Sequence, residues 1–251
     1  MPLLKTALWL STSCACLLLS ACFKEEPSAP VAVAPVKAVP DAVPSAMAEL
    51  FSLEVLGMNL AYVEKLAGPA MRSQMHYHEF KLEGCQFTLK TDDSDKAVVD
   101  MEVQITPTCN LPLEPLLGSF ADNTPRLNDL SFNALQETLG GAYYADCLTM
   151  CGNAYDPSVY MHAEGPRALN FVEFQLRVKL DDDDSIQASN IWEAAMTAGE
   201  SEDYVMEGRF NCDPYKYREV ANQAFANVKP HSLRFGSGLA ADSYETNCTK
   251  P

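Results

Sequence analysis

Apolar and polar residues alternate in four runs of this chain, and such runs form β-strands with one buried face. They cover residues 79–83, 85–90, 99–105 and 172–180. An alternation in which every second side chain is buried is typical of an antiparallel sheet that is covered on one side and polar on the other. We also expect Ser232–Phe235 to close the sheet. The sequence therefore predicts an antiparallel sheet whose apolar face needs a cover.

Segments with apolar residues at helical spacing supply that cover. We predict helices over residues 46–56, 60–67, 130–139 and 185–196, and one that Asp213-Pro214 opens. Asn59 is a good N-cap for the second helix, and the acidic run before residue 185 complements a helix dipole. The predicted fold class is α+β, with helices packed on one face of an antiparallel sheet.

A helix followed by strands occurs twice along the chain. We assign residues 46–110 to a helix-helix-meander module and 111–251 to a second α+β module with a C-terminal extension. A tandem helix-plus-three-strand-meander repeat would resemble the architecture of secreted β-lactamase-inhibitor proteins. The alternative is coincidence, since strand alternation is common to all β-rich proteins.

The N-terminus has the features of an export signal. Lys5 precedes an apolar run, Ala7 to Ala21, that is too short to span a bilayer. The end of that run, Leu19-Ser20-Ala21-Cys22, resembles the lipobox of bacterial lipoprotein precursors. This resemblance implies that residues 1–21 are a signal peptide, that Cys22 is lipidated, and that the protein is sorted to the outer membrane. An ordinary cleaved signal peptide and a short transmembrane anchor are the alternatives.

Residues 22–45 then contain the lipidated cysteine and a tether rich in Pro and Ala. Repeated proline prevents helix formation and favours an extended, semi-rigid spacer. The tether would hold the folded part in the periplasm, away from the membrane.

Nine cysteines are present, of which Cys14 and Cys16 belong to the signal peptide and Cys22 to the lipid. An even number remains, and in an exported chain this predicts three disulfides. Fifteen pairings of six cysteines are possible in principle. A hairpin centred near Ser94 favours one of them, Cys85 with Cys109. The remaining four are Cys147, Cys151, Cys212 and Cys248, with Cys147 and Cys151 stapling a loop and Cys212 with Cys248 tying down the C-terminus.

One helical segment carries a second resemblance. Gly57-Met58-Asn59, Val63 and Gly68 fall on the pattern of the small outer-membrane-assembly lipoproteins (SmpA/OmlA-like), with Asn59 in place of their Thr. The motif consists mainly of helix-cap and turn residues. The resemblance therefore implies a structural module rather than a specific activity.

Two groups of residues are candidate sites. Tyr143, Tyr144 and Tyr155 surround the Cys147–Cys151 loop and would be binding anchors if exposed. The alternative is that they pack on the sheet. His76 and His78 would lie on one face of a strand as half of a copper or zinc site, but no third ligand is evident, so we predict no metal and no cofactor.

These observations favour a binding protein. The formal net charge of -16 argues against nucleic acid as a partner, and the sequence contains none of the common catalytic motifs. We predict a non-enzymatic periplasmic lipoprotein, anchored to the outer membrane by its lipid, that binds another envelope protein as an assembly factor or an inhibitor. The alternative is an envelope enzyme or a periplasmic metal-binding protein.

Overall fold

A computed structural model describes residues 45–121, 124–149, 151, 157–244 and 248. All of them belong to one compact unit, Val43–Pro251, and a separate unit, Met1–Ala42, lies outside the described residues. The signal peptide, Cys22 and almost all of the tether therefore remain predictions. Of the helices described, none is both long enough and apolar enough to cross a membrane.

Eight strands form a single antiparallel sheet, as the alternation predicts. The strands are β1 (Arg72–Gln74), β2 (Tyr77–Leu82), β3 (Cys85–Thr91), β4 (Val98–Gln104), β5 (Ala142–Ala145), β6 (Ser158–Glu164), β7 (Glu173–Lys179) and β8 (Ser232–Gly236).

The order of strands across the sheet is β1-β2-β3-β4-β8-β7-β6-β5. The last strand in sequence, which we expected to close the sheet, thus lies at its centre and pairs with β4 on one side and β7 on the other. Each half of the sheet is a meander of consecutive strands. A single sheet consequently runs through both of the segments that we assigned to separate modules.

Seven α-helices accompany the sheet within the described residues. They are α1 (Ala46–Leu50), α2 (Leu60–Ala67), α3 (Glu114–Leu117), α4 (Phe132–Leu139), α5 (Asp183–Gly199), α6 (Glu202–Met206) and α7 (Arg218–Phe225). The chain thus places α2 before the four-strand meander β1-β2-β3-β4 and α4 before the three-strand meander β5-β6-β7, so the two halves share a helix followed by a meander but differ by one strand.

The helices pack on one face of the sheet through aromatic side chains. The ring of Phe51, at the end of α1, meets the edge of Phe235 in β8 with 6.1 Å between centroids. In the other half, Tyr143 of β5 packs between Phe132 of α4 and Phe225 of α7, at 6.0 and 5.7 Å. Burial of such side chains is the main favourable term in folding, and these contacts join both halves of the sheet to the helices.

Two helix starts illustrate how local chemistry sets the boundaries. Helix α5 begins directly after Asp182, whose carboxylate accepts from the backbone N–H of Ser185 at 2.7 Å in a capping box. The predicted helix start at Asp213-Pro214 was wrong. Those residues form a turn, in which the N–H of Lys216 donates to the carbonyl of Asp213, and α7 begins at Arg218.

Three disulfides stabilise the fold. Cys85 bonds to Cys109, as the β3–β4 hairpin predicts, because antiparallel pairing returns the chain to the start of β3. Cys147 bonds to Cys151, and Cys212 to Cys248. The predicted disulfide framework is thus confirmed, and the last pair ties the C-terminal segment to the residues before α7.

Candidate functional site: the open face of the sheet

The face of the sheet opposite the helices carries polar side chains. Because strand residues alternate between faces, the register aligns Thr88, Glu102, Arg234 and Gln175 in a row across β3, β4, β8 and β7. Positively charged, negatively charged and uncharged polar side chains therefore lie next to one another. We call this surface the open face.

A buried ion pair lies at the centre of the open face. Two nitrogens of the Arg234 guanidinium donate to the two carboxylate oxygens of Asp100, at 2.9 and 2.6 Å. Asp100 is only 2% exposed and Arg234 only 8%. A bidentate pair of this kind fixes the orientation of both side chains, because a guanidinium and a carboxylate are planar and match each other.

Gly236 makes room for this pair. It faces Asp100 across the β4–β8 ladder, and a Cβ atom at position 236 would lie 2.3 Å from the Cβ of Asp100 and 2.5 Å from the carbonyl oxygen of Val99. Any larger residue would push β8 away from β4. The glycine is therefore required by the close approach of the two strands.

A second, more accessible acid and base lie beside the buried pair. Glu102 accepts a hydrogen bond from Ser232 Oγ at 2.5 Å, and the Arg177 guanidinium is 3.7 Å from the same carboxylate oxygen. The side chains of Arg177 and Glu102 are 32% and 21% exposed. Unlike Asp100 and Arg234, they can therefore be reached from solvent.

The chain after β8 folds back over one end of the open face. We call residues 237–244 the C-terminal strap. The backbone N–H groups of Gly238 and Leu239 both donate to the Glu173 carboxylate at 2.9 Å, and Ser243 Oγ donates to Gln175 Oε1 at 2.8 Å. The strap ends with the ring of Tyr244 stacked on Tyr144, at 4.1 Å between centroids. It therefore covers the part of the open face made by β5, β6 and β7.

A polar cavity of about 220 Å³ lies on the open face beside the strap. Its charged lining consists of the two acid–base pairs just described, and Tyr160, Gln175 and Ser243 complete the side near the strap. A second cavity of about 320 Å³ extends to the β1 edge and includes the exposed Met75. Tyr77 and Thr88 line both cavities, which therefore adjoin each other on the open face. We call the two cavities together the groove, and their lining includes residues from β1, β2, β3, β4, β8, β7 and β6.

Burial perturbs the titratable groups near the strap. It raises the pKa of Tyr160, and the neighbouring Asp146 carboxylate raises it further. Burial likewise raises the pKa of Asp146, although N–H donors from Ser158 and Cys147 partly offset this effect. Burial lowers the pKa of His162, against the opposing influence of Glu173. Tyr160 therefore stays a neutral hydrogen-bonding group, which suits recognition.

The three predicted tyrosine anchors have different locations. Tyr143 is 0% exposed and belongs to the aromatic core, so it cannot be an anchor, and the alternative that it packs on the sheet is correct. Tyr144 is half-buried under Tyr244 of the strap. Tyr155 lies outside the described residues. Tyr143 and Tyr144 belong to β5 rather than to the predicted loop, and the alternation of the strand turns Tyr143 inward and Tyr144 to the open face.

The two histidines of the proposed half-site both face Asp95. His78 Nε2 is 2.9 Å from Asp95 Oδ1, His78 Nδ1 is 3.0 Å from Ser73 Oγ, and His76 Nδ1 is 3.8 Å from the Asp95 oxygen. Hydrogen bonds from Thr91 and then His78 lower the pKa of Asp95. Within the described ranges, no group of three or more His, Cys, Asp or Glu side chains is arranged to hold a metal ion.

Sequence reasoning missed the groove itself. The alternation does place Asp100 and Glu102 on the polar face of β4, and Gln175 and Arg177 on that of β7. It does not show that β8 lies between these strands and brings Arg234 to Asp100. A signal was available, since Arg234 is a charged residue inside a short apolar strand, where a buried partner is expected.

The fold and the groove define a disulfide-bonded α+β protein with a single antiparallel sheet, one face of which is open and polar. No protein-family model matches the chain, and searches of curated proteins and of solved structures find no match either.

Proposed function

We propose that this protein is a non-enzymatic lipoprotein, anchored to the outer membrane through Cys22, that binds another envelope protein in the groove of its open face. The observation that carries the proposal is the groove, whose lining includes residues from seven strands and which combines half-buried tyrosine, exposed methionine and paired charges. Surfaces that bind proteins typically have aromatic, Met and Arg side chains within a polar surround.

The charges in the groove support binding rather than catalysis. A general acid or base must be free to exchange a proton with a substrate. Here Asp100 is held by both nitrogen donors of Arg234, and Glu102 accepts from Ser232 next to Arg177. Such paired carboxylates give a rigid pattern of charge that fixes the orientation of a partner.

The N-terminal part of the sequence supports the proposed location. The lipobox at Cys22 would place the lipid in the membrane, and the proline-rich residues 22–45 would separate it from the sheet. At ~3.1 Å per extended residue, the tether would allow the groove to reach partners several nanometres from the membrane surface.

Site-specific photo-cross-linking in intact cells tests this proposal. A benzophenone amino acid replaces Gln86 or Lys81, two exposed residues that pair with each other on the open face. The matched control replaces Asn190, an exposed residue of α5 on the helical side. We expect the same cross-linked protein from both open-face positions and not from the control. Cross-links from Asn190 alone, or none from any position, would refute the open face as the binding surface.

A further inference from the structure

We infer that the polar cavity beside the strap takes an uncharged carboxamide group, the side chain of an Asn or Gln of the bound partner. This inference rests on the proposed function, because the group is taken to belong to a protein. It follows from the balance of charge in the cavity, from two donors that need an acceptor, and from the size of the cavity.

The charges that line the cavity cancel. They are two carboxylates, Asp100 and Glu102, and two guanidiniums, Arg234 and Arg177. A carboxylate entering the cavity would gain the guanidiniums but would lie against Asp100 and Glu102, and an ammonium group would meet the opposite conflict. A ligand without formal charge avoids both penalties.

The cavity wall also holds two buried donors that need an acceptor. Gln175 is 2% exposed, and its Nε2 has no hydrogen-bond partner within the part of the chain that the structure describes. The Nε of Arg177, two residues along the same strand and on the same face, is likewise without a partner among the described residues. A buried unsatisfied donor costs about 1–3 kcal/mol, so an incoming carbonyl oxygen would be favoured here.

An acceptor for the other half of a carboxamide lines the same cavity. Glu102 keeps part of its carboxylate exposed, while its Oε1 accepts from Ser232. A carboxamide has one carbonyl and one N–H or NH₂ group, and it can therefore accept from Gln175 and Arg177 while it donates to Glu102.

The volume of the cavity favours a side chain over a free metabolite. It measures about 220 Å³, whereas pockets for drug-sized ligands usually measure roughly 300–1,000 Å³. A single side chain from a docked protein, inserted next to Tyr160 and the strap, matches the smaller volume.

Nuclear magnetic resonance of the full chain, labelled with ¹⁵N, tests this inference directly. The side-chain NH₂ of Gln175 and the Nε–H of Arg177 each give their own signal. The probes are the N-acetyl methylamides of glutamine, glutamate and lysine, added to millimolar concentrations. We expect the glutamine compound to shift both signals in a saturable manner and to bind about tenfold more tightly than the other two, which corresponds to one hydrogen bond or one charge conflict.

Two variants separate recognition from folding. Gln175→Glu keeps the oxygen that accepts from Ser243 but replaces the donating NH₂ group, and it should lose about tenfold in affinity for the glutamine probe. Gln187→Glu makes the same change at an exposed position of α5 on the helical side, away from the cavity, so it should bind the probe as the wild type does. Equal shifts from all three probes, no shifts at all, or equal loss in both variants would overturn the inference.

Failure of this inference and failure of the proposed function give different results. If the cross-links from Gln86 and Lys81 identify a partner but the probes do not bind, then the open face is the interface and the carboxamide site is refuted. If the probes bind but no partner is cross-linked, then the cavity recognises carboxamides and the protein-binding function is refuted.

Discussion

The buried Asp100–Arg234 pair offers the most informative test of how the open face is built. Substitution of Asp100 by Asn keeps the shape of the side chain and one acceptor oxygen, but it removes the negative charge. The guanidinium of Arg234, 8% exposed and held at 2.6–2.9 Å from Asp100 in the wild type, then stays buried but loses its bidentate carboxylate partner.

The expected cost follows from the burial of both partners. Breaking a buried ion pair by removing one partner costs about 3–5 kcal/mol, and the remaining acceptor oxygen places Asp100→Asn near the lower end, at about 3 kcal/mol. In a unit of this size, Val43–Pro251, 1 kcal/mol lowers Tm by about 2–4 °C, so we expect a loss of about 6–12 °C. Replacing both partners by apolar residues, Asp100→Leu with Arg234→Met, should restore stability to within about 1 kcal/mol of the wild type.

Urea unfolding followed by circular dichroism measures these differences for the wild type, Asp100→Asn, the two single changes Asp100→Leu and Arg234→Met, and the double variant. The control is Glu207→Gln, because Glu207 pairs with Arg209 at 2.7 Å while both side chains are about half exposed. This control should change stability by less than ~0.5 kcal/mol. A loss below about 1 kcal/mol for Asp100→Asn, or additive effects of the two single changes, would show that the pair is not the buried unit described above.

Four further outcomes are expected. Tyr143→Phe should leave stability unchanged or raise it by up to about 1 kcal/mol, since the Tyr143 hydroxyl is buried and has no partner among the described residues; a clear loss in urea unfolding would contradict this. Gly236→Ala should lower the free energy of unfolding by about 2–3 kcal/mol, because the added methyl group forces β8 away from Asp100. A urea midpoint equal to that of the wild type would show that the two strands can separate freely. Burial lowers the pKa of His162 below 6.5, so the contribution of this residue to stability is complete above pH 6.5 and is lost as the pH falls below that value. His162→Gln should therefore reduce the difference between the urea midpoints at pH 7.5 and pH 5. An undiminished difference would show that other groups cause the pH dependence. Cys22→Ala should abolish labelling by palmitate and release the protein from the membrane fraction, whereas unchanged fractionation would refute the lipid anchor.

Local patterns in the sequence predicted much of the sheet. The period of two identified β3, β4 and β7 because their inward residues form uninterrupted apolar rows, and the hairpin at Ser94 predicted the Cys85–Cys109 bond. These features depend on residues that are close in sequence. The same holds for the Asp182 cap of α5.

Features that depend on distant pairing were not predictable in this way. Strand β6 buries five of its first six residues, and such a segment has no alternation to recognise. The position of β8 is set by its fit to both β4 and β7, and a single sequence gives no measure of that fit. The groove was missed for the same reason, since Asp100 and Arg234 are 134 residues apart in the chain.

The central position of β8 also has a consequence for the order of folding. The two meanders can each pair internally once their own residues are available, but among the described residues their backbones are joined in the sheet only by Ser232–Gly236. Until that segment emerges, β4 and β7 each present an unpaired edge to which strands of other chains can add. Joining the halves also requires closure of a loop of more than a hundred residues, which slows folding. A newly made chain is therefore expected to be most prone to pairing with strands of other chains immediately before its last strand arrives.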